Sequence, residues 1–204
     1  MKSPVKFDLT YPESLSKGKL LLKTFFGWLY VGIPHGIVLG LYEVAAVVVL
    51  FIAWWVILFT GKFPRNMFDF IVKYYRWSLR VSAYLSFMSD IYPPFNGEES
   101  EPVQFDIEYP ETLSRGTLLL KTFLGWLYVG IPHGIILALY GIWVDILVFI
   151  SWWVILFTGK YPEDMFKTVV KYIRWCLRVG VYTNLMSDVY PPFTGEKEPK
   201  GGIA

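Results

Sequence analysis

His35 and His133 are the two histidines of the chain, and each follows a proline inside a long apolar segment. An ionisable side chain in such a segment is a candidate functional residue. Two imidazoles at equivalent positions could supply the axial ligands of a haem or another tetrapyrrole. The alternative is a structural role, in which each neutral imidazole bonds a carbonyl that the proline leaves free, or a nearby tyrosine such as Tyr42. We favour the structural role.

The other reactive side chains do not form a recognisable catalytic set. Four ligands close enough in sequence for a zinc site are lacking, so no metal is expected. Glu43 and Asp145 lie in the apolar segments, but the repeat places Gly141 and Val47 at their equivalent positions. A transport path built on the two-fold symmetry would be expected to use equivalent residues in both copies, so this mismatch argues against a transporter. We find no paired carboxylates, nucleophile with its base, or phosphate-binding loop, and therefore expect a protein that is not an enzyme.

These residues belong to a tandem repeat. Residues 7–95 recur at 105–193 with a constant offset of 98 and no gaps, and about two-thirds of the paired positions are identical. The sequence therefore predicts two similar units, 1–98 and 99–204.

The composition indicates a membrane protein. The chain is 54% hydrophobic, only 18% charged, and carries a net charge of +2, which lacks the basic excess of nucleic-acid-binding proteins. One apolar block per copy, 20–59 in the first, exceeds the roughly 20 residues that one span needs. We expect an all-α integral membrane fold.

The basic residues favour a transmembrane hairpin in each copy. Lysines precede the first block and more cations follow it, while the region around Tyr42 and Glu43 contains none. A hairpin at about 20–60 that turns there keeps every cation on the cytoplasmic side. The same reasoning gives a second hairpin at about 118–158, four transmembrane helices and cytoplasmic termini. The competing interpretation has 37–60 spanning and 18–32 lying at the interface.

Small residues recur every four positions along the first half of each apolar block. This spacing lets helices approach closely in lipid. We predict contact between the two copies, or with a neighbouring subunit, through Gly32, Gly36, Gly40, Gly130, Gly134 and Ala138.

A second helix is expected after each block, at about 65–87 and about 163–185, because cations there share one face and aromatic residues fill the rest. We interpret it as an amphipathic helix in the cytoplasmic interface, with each cation contributing about 1 kcal/mol of attraction to anionic lipid. The alternative is a solvated face on a helix packed against protein. The proposed headgroup ligands are Lys73, Arg76, Arg80, Lys171, Arg174 and Arg178.

A short strand-like segment opens each copy. Residues 7–11 alternate in polarity and end at Pro12, and 105–109 repeat the pattern. The two segments could pair with each other, although two short strands alone are marginally stable.

The combined motifs are similar to a known family. Each copy contains Pro-His, then Trp-Trp, then Thr-Gly-Lys-Phe/Tyr-Pro, Arg-Trp-x-Leu-Arg-Val and Ser-Asp-Ile/Val-Tyr-Pro-Pro-Phe. This order resembles an uncharacterised prokaryotic membrane family, domain of unknown function 4389. The resemblance implies a multi-pass protein of a bacterial or archaeal cell (inner) membrane and supplies no activity.

Three functions compete at this point. The first is a non-catalytic accessory or scaffold subunit that packs against other membrane-protein subunits and organises lipid. The second is a haem- or pigment-binding subunit that uses His35 and His133. The third is a small transporter or channel. We favour the first, because the aromatic helices and small-residue rows suit packing while a catalytic set is lacking.

Overall fold

The computed structural model describes residues 3–197, which form two mostly helical units in tandem. Within these residues the first unit contains β1 (Val5–Leu9), α1 (Lys17–Gly27), α2 (Ile33–Thr60) and α3 (Arg65–Leu85). The second contains β2 (Val103–Ile107), α4 (Arg115–Gly125), α5 (Ile131–Thr158) and α6 (Glu163–Thr183). A short π-helical turn joins α1 to α2 at Trp28–Gly32, and another joins α4 to α5 at Trp126–Gly130.

Each apolar block is one continuous helix, not a hairpin. The first runs for 44 residues from Lys17 to Thr60, and the second has the same length from Arg115 to Thr158. The predicted turn near Tyr42 and Glu43, and with it the set of four transmembrane helices, is therefore wrong. Proline is lacking around Glu43, and Gly40, three residues earlier, stays within the helix, so the helix is not stopped there. It ends instead at Gly61, whose φ of 73° suits a left-handed cap.

The π-helical turns lie directly before the two prolines. The Ile33 N–H bonds the carbonyl of Trp28, five residues earlier, and Ile131 bonds Trp126 in the same way. Pro34 has no N–H and its ring crowds the preceding turn, so a local departure from α-helical bonding is expected there. The helix continues through this turn, so residues 18–32 and 37–60, which the alternative interpretation separated, belong to one helix.

The helices predicted at about 65–87 and 163–185 are present as α3 and α6. Each begins directly after a proline, Pro64 or Pro162, whose fixed φ suits a helix start. α3 runs antiparallel to the long helix. The ring centres of Tyr42 and Phe70 lie 4.5 Å apart, and the earlier residue His35 contacts the later residue Trp77. The aromatic face of α3 thus packs against protein.

The two strands pair across the repeat. β1 and β2 are antiparallel with Phe7 opposite Phe105, so the predicted pairing is confirmed, two residues earlier than expected. Each strand packs on the helix of the other unit. Arg76 on α3 donates to the Phe105 carbonyl at 2.9 Å, and Arg174 on α6 donates to the Phe7 carbonyl at 3.0 Å. The units therefore exchange strands and share one core.

The long helices also meet reciprocally. The Trp54 indole donates to the Thr122 hydroxyl at 2.8 Å, and the Trp152 indole donates to the Thr24 hydroxyl at 2.8 Å. The start of each long helix therefore lies beside the end of the other, which makes the two antiparallel.

Candidate functional site

The best-defined polar site lies where the Tyr-Pro-Pro-Phe motif folds back on the long helix. Pro34 cannot donate to the carbonyl of Tyr30, four residues earlier, so that carbonyl needs another partner. The Tyr92 hydroxyl donates to it at 3.2 Å. In the second unit the Tyr190 hydroxyl donates to the Tyr128 carbonyl at 3.0 Å. The Tyr-Pro-Pro-Phe motif at the end of each unit thus supplies the hydrogen bond that the proline in the long helix cannot make.

His35 is fully buried beside this bond. The Trp77 indole donates to its Nδ1 at 3.0 Å, so Nδ1 is an acceptor and the neutral ring carries its proton on Nε2. Nε2 lies 3.2 Å from the Tyr92 hydroxyl, which already donates to Tyr30 and can accept here. Phe95 stacks on the imidazole at 3.9 Å. The result is a hydrogen-bond chain with one direction, from indole to imidazole to phenol to carbonyl.

His133 repeats most of this environment. The Trp175 indole donates to its Nδ1 at 3.0 Å, and Phe193 stacks on the ring at 3.9 Å with planes 7° apart. Within residues 3–197, its Nε2 has no hydrogen-bond partner. The two histidines therefore differ at a single bond.

The donor set does not fit axial ligation of a haem. An imidazole ligand binds the metal through one nitrogen while the other donates its N–H to a neighbour. Here Nδ1 accepts from tryptophan in both copies, so a metal at Nε2 would require a deprotonated ring. A phenylalanine also covers one face of each imidazole. Among the described residues, no three His, Cys, Asp or Glu side chains lie close enough to hold a metal ion.

A buried ion pair lies on the same long helix in each unit, and the sequence patterns did not predict it. Lys23 Nζ lies 2.6 Å from Asp90 and donates to the Ser89 carbonyl at 2.7 Å. It also lies 4.2 Å from the centre of the Tyr84 ring, a cation–π contact. The other oxygen of Asp90 accepts from the Ser16 N–H at 2.6 Å, next to the start of α1.

Lys121 and Asp188 form the equivalent pair at 3.1 Å. The available signal was a lysine inside an apolar helix together with the aspartate of the Ser-Asp-x-Tyr-Pro-Pro-Phe motif. Both members of the pair are therefore bound within the protein.

The arginines predicted to bind lipid headgroups are turned into the protein. Arg80 is 2% exposed and donates to the carbonyls of Asn96 and Glu98 and to Ser100. Burial lowers the pKa of its guanidinium. The lipid-facing interpretation is therefore wrong for Arg80, because the linker after α3 folds over its face.

The same holds in the second unit. Arg178 donates to the carbonyls of Thr194 and Glu196, and Arg174 donates to those of Phe7 and Gly195. Both arginines are 4% exposed, so neither faces lipid.

The remaining members of the stripe are paired with acids of the linker and tail. Arg76 meets Glu99 at 2.6 Å with its side chain 14% exposed. Lys73 bonds Glu98 at 2.7 Å and Lys171 bonds Glu196 at 2.6 Å, with lysine side chains 45% and 42% exposed. The structure thus favours the alternative interpretation, a helix packed against protein.

The small-residue rows do not bring the two copies together. A side chain added at Gly36, Gly40 or Gly134 would meet nothing within 4 Å, and Ala138 is exposed. Gly32 and Gly130 approach only the preceding turn of their own helices. The predicted contact within the chain is wrong, because the antiparallel arrangement joins the helices near their ends. Contact with a neighbouring subunit stays a prediction.

Each long helix exposes an apolar face. Phe25, Leu41 and Phe59 are 64%, 69% and 70% exposed, and their equivalents in the second helix match them. In the most apolar 18-residue stretch of each helix, only 11% and 17% of the residues are buried. Most of the apolar surface of each long helix is therefore exposed in the part of the chain that the structure describes.

Fold and site together define the class as a tandem-repeat helical protein with one long, exposed apolar helix per unit. The profile of the family described as Domain of unknown function (DUF4389) matches the chain twice, over residues 22–96 and 120–195. The chain belongs to this family, as a tandem duplication of its domain. No curated protein and no solved structure matches it.

Proposed function

We propose that this protein is a non-catalytic membrane subunit, an accessory or scaffold component that associates with other membrane proteins and orders the lipid around them. The observation that carries the proposal is the apolar face exposed along both long helices. Contiguous apolar surface on this scale marks a membrane or protein contact. We place the protein at a prokaryotic cell membrane with both termini cytoplasmic.

The polar site supports a structural role. His35 and Lys23 lie in an apolar helix, where ionisable groups are candidates for function. Both are used to hold the Tyr-Pro-Pro-Phe motif against the helix, through Tyr92 and Asp90. A buried lysine held by a carboxylate, a carbonyl and an aromatic ring is stabilised in place and not presented to a substrate.

The exposed small residues suit contact with a second subunit. Gly36 and Gly40 lie on the exposed part of the long helix, with open space where a side chain would be. Another helix can approach the backbone closely there. This supports assembly with a partner in the membrane.

The test is gentle solubilisation of native membranes, followed by sizing and identification of co-purifying proteins. We expect the protein in the membrane fraction after a high-salt wash, in a complex larger than the monomer. Recovery from the soluble fraction would overturn the membrane assignment. A lone monomer from the membrane fraction would overturn the accessory role.

A further inference from the structure

We infer that both long helices lie flat within one leaflet of the bilayer, with their exposed apolar faces in lipid and neither helix crossing the membrane. This inference rests on the proposed membrane location and specifies how the helices are oriented in the membrane. The exposed apolar faces contact the outer few ångströms of an anionic leaflet, between headgroups and acyl chains.

The first observation is helix length. A helix of 44 residues extends for about 66 Å, at 1.5 Å per residue, whereas the hydrocarbon core is about 30 Å thick. A helix that crossed the bilayer would project far beyond it, yet the apolar exposed positions run from Leu21 to Phe59. A helix in the plane of the membrane keeps all of them in lipid.

The second observation is a buried stripe that follows the whole helix. Leu20, Val31, His35, Ala46 and Ile57 are all at most 5% exposed, and they face the rest of the protein. The long helix is thus attached to the protein body from end to end. In a crossing orientation that body would enter the hydrocarbon with it, including the arginine-rich helix α3.

The body itself is arranged for one-sided contact. α3 meets the long helix through Trp77, and it meets β2 on its other side, where Tyr75 packs against Phe105 at 5.5 Å. The strands and charged linkers therefore lie beyond α3, away from the exposed apolar face. Polar and apolar surfaces are separated by a helical layer.

The third observation is the symmetry of the two units. Trp54 meets Thr122 and Trp152 meets Thr24, so the pseudo-two-fold axis exchanges the two ends of the helix pair. Such an axis is perpendicular to both helices, and a two-fold rotation preserves direction along its axis. The strands pair about the same axis, with Phe7 opposite Phe105, and they lie beyond α3 on the side away from the exposed faces. The apolar faces therefore point along this axis, to the same side of the molecule, as contact with one leaflet requires.

Charge at the helix ends completes the match to a lipid surface. Exposed cations occur at both ends of both helices, and the reciprocal packing gathers them into two clusters. One contains Lys17, Lys19 and Lys160, and the other contains Lys62, Arg65 and Arg115. Lys17 bonds the Phe157 carbonyl at 2.7 Å and Arg115 bonds the Phe59 carbonyl at 2.7 Å. A crossing helix would put cations on both sides of the membrane, whereas a flat helix puts all of them at one headgroup layer.

The test measures side and depth in the full chain, with Cys176→Ser as background. For side, Glu13→Cys and Lys62→Cys flank the first helix and are exposed. A membrane-impermeant maleimide applied to right-side-out and inverted vesicles reports each one. We expect both to react from the same side, in the same vesicle orientation.

For depth, spin labels at Phe25→Cys, Leu41→Cys and Phe59→Cys are read by collision with oxygen and with a water-soluble nickel reagent in anionic vesicles. In a flat helix the three depths agree within about 5 Å, whereas a crossing helix separates the outer two by up to about 51 Å along its axis. Leu139→Cys is the matched control, because the two-fold gives it the depth of Leu41.

The outcomes separate the two proposals. Labels shielded from oxygen and reagent alike would show a protein partner on this face, and labels open to the water-soluble reagent would show no membrane contact. The first result would overturn only the inference that this face lies in lipid, since a partner there fits the accessory role. The second would overturn the membrane placement and the inference with it. Labels in lipid at graded depths, with Glu13 and Lys62 reacting from opposite sides, would overturn only the flat arrangement.

Discussion

The Tyr92 hydroxyl donates to the backbone carbonyl of Tyr30, which Pro34 leaves without its helical donor. The two residues are 62 positions apart, and Tyr190 and Tyr128 repeat the bond at the same separation. The Pro-His motif and the Tyr-Pro-Pro-Phe motif, which are far apart along each unit, therefore form one contact. A proline that would weaken an isolated helix is accommodated by tertiary structure.

This relationship predicts a coupling between the tyrosine and the proline. Tyr92→Phe leaves the Tyr30 carbonyl unsatisfied and should destabilise the protein by about 1–3 kcal/mol. In a Pro34→Ala background the helix regains an N–H for that carbonyl, so the same tyrosine substitution should cost clearly less. Denaturant unfolding in detergent micelles measures the four variants as a double-mutant cycle.

The second unit supplies the matched control for this cycle. Tyr190→Phe with Pro132→Ala removes the same carbonyl bond, but His133 does not bond the tyrosine. A similar coupling in both units would assign it to the carbonyl. Equal costs of tyrosine removal with and without the proline would contradict the prediction.

Breaking one partner of the buried ion pair should be costly. Asp90→Asn leaves the Lys23 ammonium buried without its countercharge, and the expected loss is about 3–5 kcal/mol. Lys23→Met combined with Asp90→Asn removes the stranded charge and should recover part of this loss. Thermal unfolding in micelles measures both variants. A double variant less stable than Asp90→Asn alone would contradict the prediction, and Lys121 with Asp188 offers an independent repetition.

A single unit should not fold as a monomer. In residues 1–98 alone, β1 lacks β2, and Arg76 lacks the carbonyl of Phe105. Two copies of this unit can restore both contacts by exchanging strands around a two-fold axis, so we expect a homodimer. Light scattering coupled to size exclusion in detergent measures the mass. A stable, folded monomer would show that strand exchange is dispensable.

Alkaline pH should weaken the contact between α3 and α6. The Tyr75 hydroxyl accepts from the Asn184 amide at 2.7 Å, and burial raises the pKa of Tyr75 to about 12, from 10.0. A raised pKa means that the folded state holds the proton more tightly. This contribution to stability is complete below about pH 10 and is lost as pH rises towards 12.

The matched variant is Tyr75→Phe, which has no proton to lose. We expect a flatter decline of the unfolding midpoint between pH 10 and 12 than in the parent chain, although other buried tyrosines contribute their own decline. Position 173 in the second unit is already isoleucine, so the position equivalent to Tyr75 makes no such contribution. Identical pH profiles for parent and variant would contradict this assignment.

Local patterns in the sequence were sufficient for part of this fold. Sequence identity between the two halves was sufficient to predict the tandem repeat, and the motifs were sufficient to predict the family. Hydrophobic periodicity and the positions of proline and glycine predicted the helices at 65–85 and 163–183 and the strand at the start of each unit. The repeat and the family are properties of the sequence itself, and the helix and strand signals act within a few residues, so none of them needs a three-dimensional partner to be read.

The course of the apolar block was not readable in this way. Charge bias indicated a hairpin because a hairpin places all cations on one side of a membrane, whereas the structure has an unbroken helix of 44 residues. The cationic face of α3 was equally ambiguous. Guanidinium groups satisfy lipid phosphates and backbone carbonyls alike, and only the folded linker decides between them for Arg80.

By itself, then, the sequence determined which segments are helical or extended and that the molecule consists of two similar units. The tertiary structure alone decided which unit each strand joins, which partner each buried charge has, and which side of each long helix stays exposed. The physical reason is distance: Tyr92 and Tyr30, or Lys23 and Asp90, are far apart along the chain, and their bonds exist only once packing brings them together.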